Sequence, residues 1–229
     1  YQVDLGLALS NAVSHDRLER MAALDPLTDA YNRRFGLVRL QEEFVSYLVR
    51  RVLERRPSEL EVLERDVGPL EAVVPPFDRM SYSEAISALR EAGADIQWGS
   101  DLGAEHETLL TEGRPKPLFV FDYPVEAKAF YMKENPQDPR TVLCSDLLAP
   151  EGNGEIIGGS QREHRYDKLQ QRIKEMNIPE EDMWWYLETR KFGTAPHAGF
   201  GLGFERLVLF VTGMANIRDV IPFPRTPRN

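Results

Sequence analysis

A glycine-rich segment near the C-terminus, His197-Ala-Gly-Phe-Gly-Leu-Gly-Phe-Glu-Arg206, carries the residue types of a nucleotide site. Three of its glycines, Gly199, Gly201 and Gly203, stand at every second position, which is typical of an extended segment that a flat ligand or another backbone approaches closely. The apolar run after Arg206 predicts the first turns of a buried helix. Because helix N-terminal amides and a guanidinium both attract anions, a strand that leads into this helix predicts a phosphate site.

Two acidic residues, Asp146 and Glu155, flank the hairpin-type turn sequence Pro150-Glu-Gly-Asn-Gly154. With the turn centred near its start, the two carboxylates are expected to lie opposite each other on one face of the sheet. Facing carboxylates repel each other, so we expect a positive charge beside them. A Mg²⁺ ion that bridges nucleotide phosphates is one candidate. An ion pair with Arg162 or Arg206 is the alternative, and the residues alone favour neither.

A glycine pair, Gly158-Gly159, separates Glu155 from Arg162. Glycine lets a small ligand lie directly against the backbone. Arg162 could form a forked contact with a carboxylate or amide oxygen of such a ligand, because guanidinium geometry matches planar oxygens. A surface salt bridge is the alternative for this arginine.

The composition describes an ordinary globular protein. The 229 residues are 42% hydrophobic and 28% charged, and the formal net charge of −9 argues against broad nonspecific nucleic-acid binding by the whole chain. The single cysteine, Cys144, excludes an internal disulfide and points to a reducing compartment, which favours a cytoplasmic location. No apolar run approaches the ~20 residues of a membrane span, so no membrane partner is expected.

The C-terminal half predicts an α+β fold of antiparallel strands flanked by helices. Its strands are predicted from composition and turn residues, and its helices from apolar periodicity. The strands are 118–122, 141–148 and 154–158, and the helices are 163–176 and 183–187. The aromatic rings of the last helix, Trp184, Trp185 and Tyr186, are expected to fill the core rather than bind a cofactor.

Residues 42–110 carry packing signals and little visible chemistry. One face of a helix over 43–53 is apolar, and Ser81-x-x-Glu84 predicts a capped helix that Gly93 ends. A basic cluster in this region is interpreted as a solvated helix face, with nucleic-acid contact as the alternative. Its members are Arg50, Arg51, Arg55 and Arg56.

The first 44 residues predict one long amphipathic helix with a break at Asp25-Pro26. The stretch from Leu24 to Phe35 resembles the opening of diguanylate cyclase (GGDEF-family) domains, together with the signalling helix that precedes them. The Gly-Gly-Asp/Glu-Glu-Phe loop of that family is absent from the sequence. We therefore expect a dimerisation or docking helix rather than cyclic-dinucleotide synthesis.

Several long motifs, in order, resemble the asparaginyl-tRNA synthetases, a family of class II aminoacyl-tRNA synthetases. The likeness runs from about residue 42 to residue 229. Its segments are Asp122–Met132, Gly154–Glu163, Trp185-Tyr186, Pro196–Arg206 and Asn216–Arg225. The resemblance implies the class II antiparallel sheet flanked by helices, usually in a homodimer.

The resemblance also implies a role for each matching residue. Arg206 would lie along adenine and reach the γ-phosphate of ATP, with Gly203, Phe204 and Glu205 around the nucleotide. Glu155, with Asp146, would hold Mg²⁺ and ATP. Around the asparagine substrate, the implied residues are Gly158, Ser160, Arg162 and His197. The implied reaction joins asparagine to ATP as asparaginyl-adenylate and then transfers it to tRNA.

The sequence departs from the family at its start. The first two class II motifs and the anticodon-binding β-barrel are missing, and the only Arg-x-Glu in residues 1–44, Arg17-Leu-Glu19, lies in a helical pattern. We therefore predict a helical segment over 1–41 and an incomplete catalytic domain over 42–229. Three functions remain: a ligase module that is weak alone, a paralogue that makes asparagine from aspartate, and a noncatalytic dimerising module.

Deletion of residues 1–40 tests the third of these functions. If the N-terminal helix is the dimerising element, the shortened chain sediments as a monomer. An unchanged mass in solution counts against a dimerising role for that helix.

Overall fold

A computed structural model describes residues 33–225 of the chain. The first 32 residues of the helix predicted over 1–44, with its break at Asp25-Pro26, lie outside the described residues. The helices are α1 (Arg33–Arg55), α2 (Pro57–Val62), α3 (Gly68–Glu71), α4 (Tyr82–Glu91), α5 (Ala104–Thr111), α6 (Tyr166–Glu175), α7 (Trp184–Lys191) and α8 (Phe204–Thr212). The strands are β1 (Asp78–Ser81), β2 (Leu118–Phe121), β3 (Glu134–Asn135), β4 (Asp138–Val142), β5 (Cys144–Ala149), β6 (Gly154–Gln161) and β7 (Ala198–Leu202). Short 3₁₀ turns occupy Val125–Ala127, Glu180–Asp182 and Ile217–Val220.

Five strands form the main sheet in the order β1-β2-β5-β6-β7. β1 runs parallel to β2, and the other neighbours are antiparallel. This arrangement confirms the predicted α+β class and its antiparallel sheet. The predicted strand 141–148 is divided, because Leu143 donates its N–H to Lys133 outside both ladders. Its first part lies in β4, which pairs with β3 in a separate two-stranded sheet.

Helix α1 packs against one face of the main sheet. Val45 and Val49 are buried there in a core cluster with Leu147, Ile157 and Phe210. This burial confirms the helix predicted from the apolar pattern of residues 43–53. α1 runs from Arg33 to Arg55 and is not interrupted at residue 41. A deletion of residues 1–32 would therefore leave the whole helix in place.

The opposite face of the sheet is only partly covered. α4 and α5 pack over β2 and β5, where Tyr82 and Leu89 contact a second core cluster that includes Val120 and Leu148. The predicted capping box holds the start of α4, since the Ser81 hydroxyl accepts from the N–H of Glu84. Further along the same face, over β6 and β7, no helix covers Gly201, which is exposed.

The expected burial of the aromatic rings in α7 is wrong for its two tryptophans. Trp184 and Trp185 are 59% and 54% exposed, whereas Tyr186 packs against Phe130. α7 buries one side, through Leu187, in a small cluster with α6. The two indoles lie on the part of the helix surface that does not face this cluster.

The predicted basic cluster lies on and just after α1. Arg50 and Arg51 are ion-paired with Glu54, and Arg56 is ion-paired with Glu59. Local pairs of this kind are typical of a solvated helix surface. In residues 33–225 no helix has the combined length and apolar character needed to cross a membrane.

Two glycines on opposite faces of the same sheet make a matched stability test. A Cβ at Gly159 would lie 2.5 Å from Nε2 of the buried Gln41 and 3.1 Å from Cβ of Phe200. We expect Gly159→Ala to lower the free energy of unfolding by about 1–3 kcal/mol through overpacking. A Cβ at Gly201 meets no heavy atom within 4 Å, so Gly201→Ala should unfold like the wild type in urea. Equal midpoints for the two variants would refute this packing.

Candidate active site

The glycines of β6 and β7 form the floor of a shallow site. Strand register places Asp146 opposite Gly158, and Gly158 opposite Gly201, in one row across the sheet. The next row on the same face pairs Ser160 with Gly199. Because glycine carries no side chain, the backbone is exposed at Gly201 and half-buried at Gly158 and Gly199. The predicted extended segment through these glycines is confirmed as β7.

Asp146 and Glu155 share this face, as predicted. The prediction that they lie directly opposite each other is wrong. The register shifts between Leu147 and Leu148, so that Glu155 pairs with Leu148 while Asp146 pairs with Gly158. The Glu155 side chain instead reaches back over Gly158. A Cβ at Gly158 would lie 2.6 Å from Glu155 Oε1 and 3.6 Å from Asp146 Oδ1. The bulge therefore brings the two carboxylates together around a glycine.

Lys128 supplies the positive charge beside Asp146. Its Nζ lies 2.5 Å from Asp146 Oδ2 and 3.9 Å from the centre of the Tyr123 ring. Burial raises the pKa of Asp146, and burial alone would lower the pKa of Lys128, but the contact with Asp146 raises it instead. Lys128 therefore stays protonated at neutral pH, and its charge favours the ionised form of Asp146 against the effect of burial. The expected partners Arg162 and Arg206 do not fill this position.

The surroundings of Glu155 disfavour its ionised form. Burial, followed by the nearby charge of Asp146, raises the pKa of Glu155 to about 7, and Lys128 and Arg206 offset part of that shift. A carboxylate with this pKa gains from any further positive charge brought near it. In the described part of the chain, no group of three or more His, Cys, Asp or Glu side chains is arranged to hold a metal ion.

Arg206 lies at the charged end of the site. It lies in the first turn of α8, whose N-cap is Gly203, and its side chain folds over that glycine with contacts of 3.6–3.8 Å to a Cβ placed there. Its Nη1 donates to the carbonyl of Asn153 at 3.2 Å, in the β5–β6 turn. Phe204 and Glu205 are exposed in the same turn, with Phe204 at 66%.

The other end of the site is built around Arg162. The guanidinium lies 4.6 Å from the centre of the Tyr131 ring, and Nη2 is 3.5 Å from the carbonyl of Gly199. The backbone N–H of Arg162 donates to the carbonyl of His197 at 2.9 Å. Ser160 is 1% exposed, and its Oγ has no hydrogen-bond partner among the described residues. This hydroxyl therefore has hydrogen-bonding capacity that the described residues do not use.

His197 lies at the edge of this end of the site. Its side chain is exposed, with Nδ1 2.9 Å from the carbonyl of Ala195 and Nε2 3.5 Å from Nη2 of Arg190. Arg190 is itself buried and donates to the hydroxyl of Tyr186. The structure therefore links His197 to Arg162 through the backbone and to α7 through Arg190.

Two residues of the site have no assigned role in the sequence analysis, Lys128 and Glu107. Lys128 lies within a segment that carries the family likeness, but its pairing with Asp146 depends on a loop between β2 and β3. Glu107 lies in α5, and its Oε2 accepts from the backbone N–H of Glu155 at 3.0 Å. No local pattern in the sequence connects α5 to the start of β6.

Comparison with known proteins identifies the family. A family model described as tRNA synthetases class II (D, K and N) matches residues 27–227. The chain belongs to this family. The asparagine–tRNA ligase of Thermococcus gammatolerans is 54% identical over 193 residues, which cover 84% of the chain and 45% of that relative. The chain thus spans less than half the length of this class II synthetase.

Solved structures agree with the class II fold. The asparaginyl-tRNA synthetase of Pyrococcus horikoshii complexed with asparaginyl-adenylate has a TM-score of 0.83 at 52% identity, over 87% of the chain and 46% of that structure. The aspartyl-tRNA synthetase of Entamoeba histolytica has a TM-score of 0.78 at 28% identity, over 86% of the chain and 41% of that structure. The sheet of this class II synthetase chain is therefore similar to that of asparaginyl and aspartyl relatives.

The raised pKa of Glu155 makes stability depend on pH. In the folded chain this pKa is about 7 against an ordinary value of 4.5, so stability falls as pH rises between these values. Glu155→Gln removes the buried charge. We expect the variant to match the wild type at pH 4 and to exceed its free energy of unfolding by about 1–3 kcal/mol at pH 8.

Urea unfolding at both pH values measures this difference. Glu105→Gln, the same change at an exposed position of α5, should give no pH-dependent gain. A Glu155→Gln variant whose stability relative to wild type is the same at pH 4 and pH 8 would contradict the assigned environment.

Proposed function

We propose that this chain carries the ATP- and asparagine-binding surface of an asparagine–tRNA ligase. One observation supports the proposal above the others: a glycine floor on β6 and β7 lies between a charged end at Glu155 and Arg206 and a polar end at Arg162 and Ser160. A nucleotide and a small amino acid can lie end to end on such a floor. The likeness to asparaginyl relatives favours asparagine over aspartate.

The charged end fits the nucleotide. Arg206 can lie along an adenine ring or contact phosphate oxygen, because a guanidinium is planar and remains charged. The N-terminus of α8, capped by Gly203, adds partial positive charge from backbone N–H groups. The exposed ring of Phe204 and the carboxylate of Glu205 are proposed to border the nucleotide in the same turn.

The polar end fits the amino acid. Arg162 can donate two hydrogen bonds to a planar oxygen group, and its contact with the Tyr131 ring limits its motion. The buried hydroxyl of Ser160 is a candidate partner for the asparagine side chain or backbone. Gly158 is proposed to border this pocket, and the imidazole of His197 to line its rim.

The donor set also fits Mg²⁺. Glu155 and Asp146 present carboxylate oxygens on the ligand side of Gly158, and Mg²⁺ is commonly bound through one or two carboxylates plus substrate phosphates. When bound, the ion would neutralise phosphate charge. Lys128 pairs with Asp146 Oδ2, whereas Asp146 Oδ1 lies on the Gly158 side, 3.6 Å from a Cβ placed at that glycine.

The proposed reaction is the activation of asparagine. A carboxylate oxygen of asparagine attacks the α-phosphorus of ATP, the new P–O bond forms as the bond to pyrophosphate breaks, and asparaginyl-adenylate remains. The residues of this chain act by holding the two reactants in line and by placing Arg206 near the negative charge of the phosphates. No side chain needs to form a covalent bond in this step.

Several finer features belong to the same proposal. tRNA is the proposed acceptor, and a homodimer in the cytoplasm is the proposed state. Residues 1–41 and 42–229 are proposed as a helical segment and a partial catalytic domain. We expect slow activation by this chain alone, because the sequence offers no second class II motif to hold the α-phosphate.

Asparagine-dependent exchange of pyrophosphate into ATP tests the proposal. With Mg²⁺ present, we expect weak exchange that is lost in Glu155→Ala and in Arg206→Ala. Exchange supported by aspartate instead of asparagine would favour the paralogue that makes asparagine. Gly201→Ala should weaken substrate binding while its unfolding midpoint stays unchanged, because the added methyl group would stand on the ligand side of the sheet.

Binding measurements separate the remaining outcomes. ATP binding that requires Arg206, without exchange, would mean that the surface needs a further polypeptide to complete it. Neither exchange nor ATP binding would overturn the proposed function and favour a noncatalytic module.

A further inference from the structure

A buried carboxylate of α5 reaches the start of β6 at the charged end of the candidate site. Glu107 is 9% exposed, and its Oε2 accepts the backbone N–H of Glu155 at 3.0 Å. The contact ties α5 to the residue that carries the raised pKa. Glu107 is separated from Glu155 by 48 positions in the sequence, so only the fold brings them together.

The same carboxylate lies next to the guanidinium of Arg206. A Cβ built at Gly154 would lie 2.5 Å from Glu107 Oε2 and 3.1 Å from Arg206 Nη1. Both groups therefore lie close to the same backbone position. Gly154 has a φ of +68°, which glycine adopts without strain. The carboxylate and the guanidinium therefore face each other across Gly154, too far apart for a direct ion pair but near enough for their charges to attract.

The burial of the Glu107 carboxylate is compensated by the groups around it. Burial raises the pKa of Glu107, whereas the N–H of Glu155 and the charge of Arg206 lower it. A buried carboxylate is costly unless hydrogen bonds and opposite charge compensate for lost water. Here both kinds of compensation come from the two residues on which the nucleotide end depends.

We propose that Glu107 is a positioning residue that orients the Arg206 guanidinium and the backbone of Glu155 toward the ligand side of the sheet. In the free chain, the orientation of the two groups rests on the hydrogen bond to the Glu155 N–H and on the charge that Glu107 presents to Arg206 across Gly154. Its consequence for ATP rests on the proposed function.

The sign of the effect on ATP separates positioning from simple electrostatics. Removing a negative charge near a phosphate site strengthens anion binding if charge alone matters. Removing a group that orients Arg206 weakens binding instead. Glu107→Gln is the informative variant because it keeps the shape and an oxygen acceptor for the Glu155 N–H while it removes the charge.

The first measurement needs no ligand. NMR relaxation of the Arg206 Nε–H, assigned with Arg206→Lys, reports the order of the guanidinium, and hydrogen exchange reports protection of the Glu155 amide. We expect Glu107→Gln to reduce the order of Arg206 while the amide stays protected, and Glu107→Ala to lose both. Glu105→Gln, an exposed charge removal in the same helix, should change neither. An Arg206 as ordered in Glu107→Ala as in the wild type would overturn the proposal.

The second measurement is calorimetric titration with ATP and Mg²⁺. We expect about 3- to 10-fold weaker binding in Glu107→Gln than in the wild type or in Glu105→Gln. Unchanged or tighter binding in Glu107→Gln would overturn the positioning role. If the wild-type chain binds no ATP, the proposed function fails, and the ligand-free NMR result still decides whether Glu107 orients Arg206.

Discussion

Burial of the Asp146 and Glu155 carboxylates in one patch of sheet is the constraint on which the site depends. Asp146 is compensated by Lys128 at 2.5 Å, whereas Glu155 receives only partial compensation and has a pKa near 7. A folded chain that carries such a group gives up stability at neutral pH. In return it presents a carboxylate that a cation or a donor can bind strongly.

Much of the secondary structure could be predicted from local signals. The capping box at Ser81 and the glycines before α8 each act within a few residues, so the sequence alone defines the ends of these elements. The turn from Pro150 to Gly154 likewise predicted the β5–β6 hairpin. The exposure of the Trp184 and Trp185 side chains could not be predicted, because it depends on which side of α7 packs against the small cluster with α6.

The site was predictable in its residue types but not in its pairings. A carboxylate pair, a glycine floor and an arginine at a helix start are visible in the sequence. The bulge at Leu147 and Leu148 is not, and it replaces the expected face-to-face pair with an arrangement around Gly158. Lys128, the partner of Asp146, lies in a separate loop. A contact between distant parts of the chain produces no periodic pattern in the sequence, so this pair could not be predicted.

The position of β7 in the sheet has a consequence for assembly. Among the described residues β7 pairs with β6 alone, so it and β1 form the two ends of the sheet. Two copies that joined β7 to β7 about a twofold axis would form a closed pair with no further growth. Joining β7 of one copy to β1 of the next would leave a free end at each step and permit open-ended fibres. The symmetry of strand pairing therefore decides between a finite particle and a polymer.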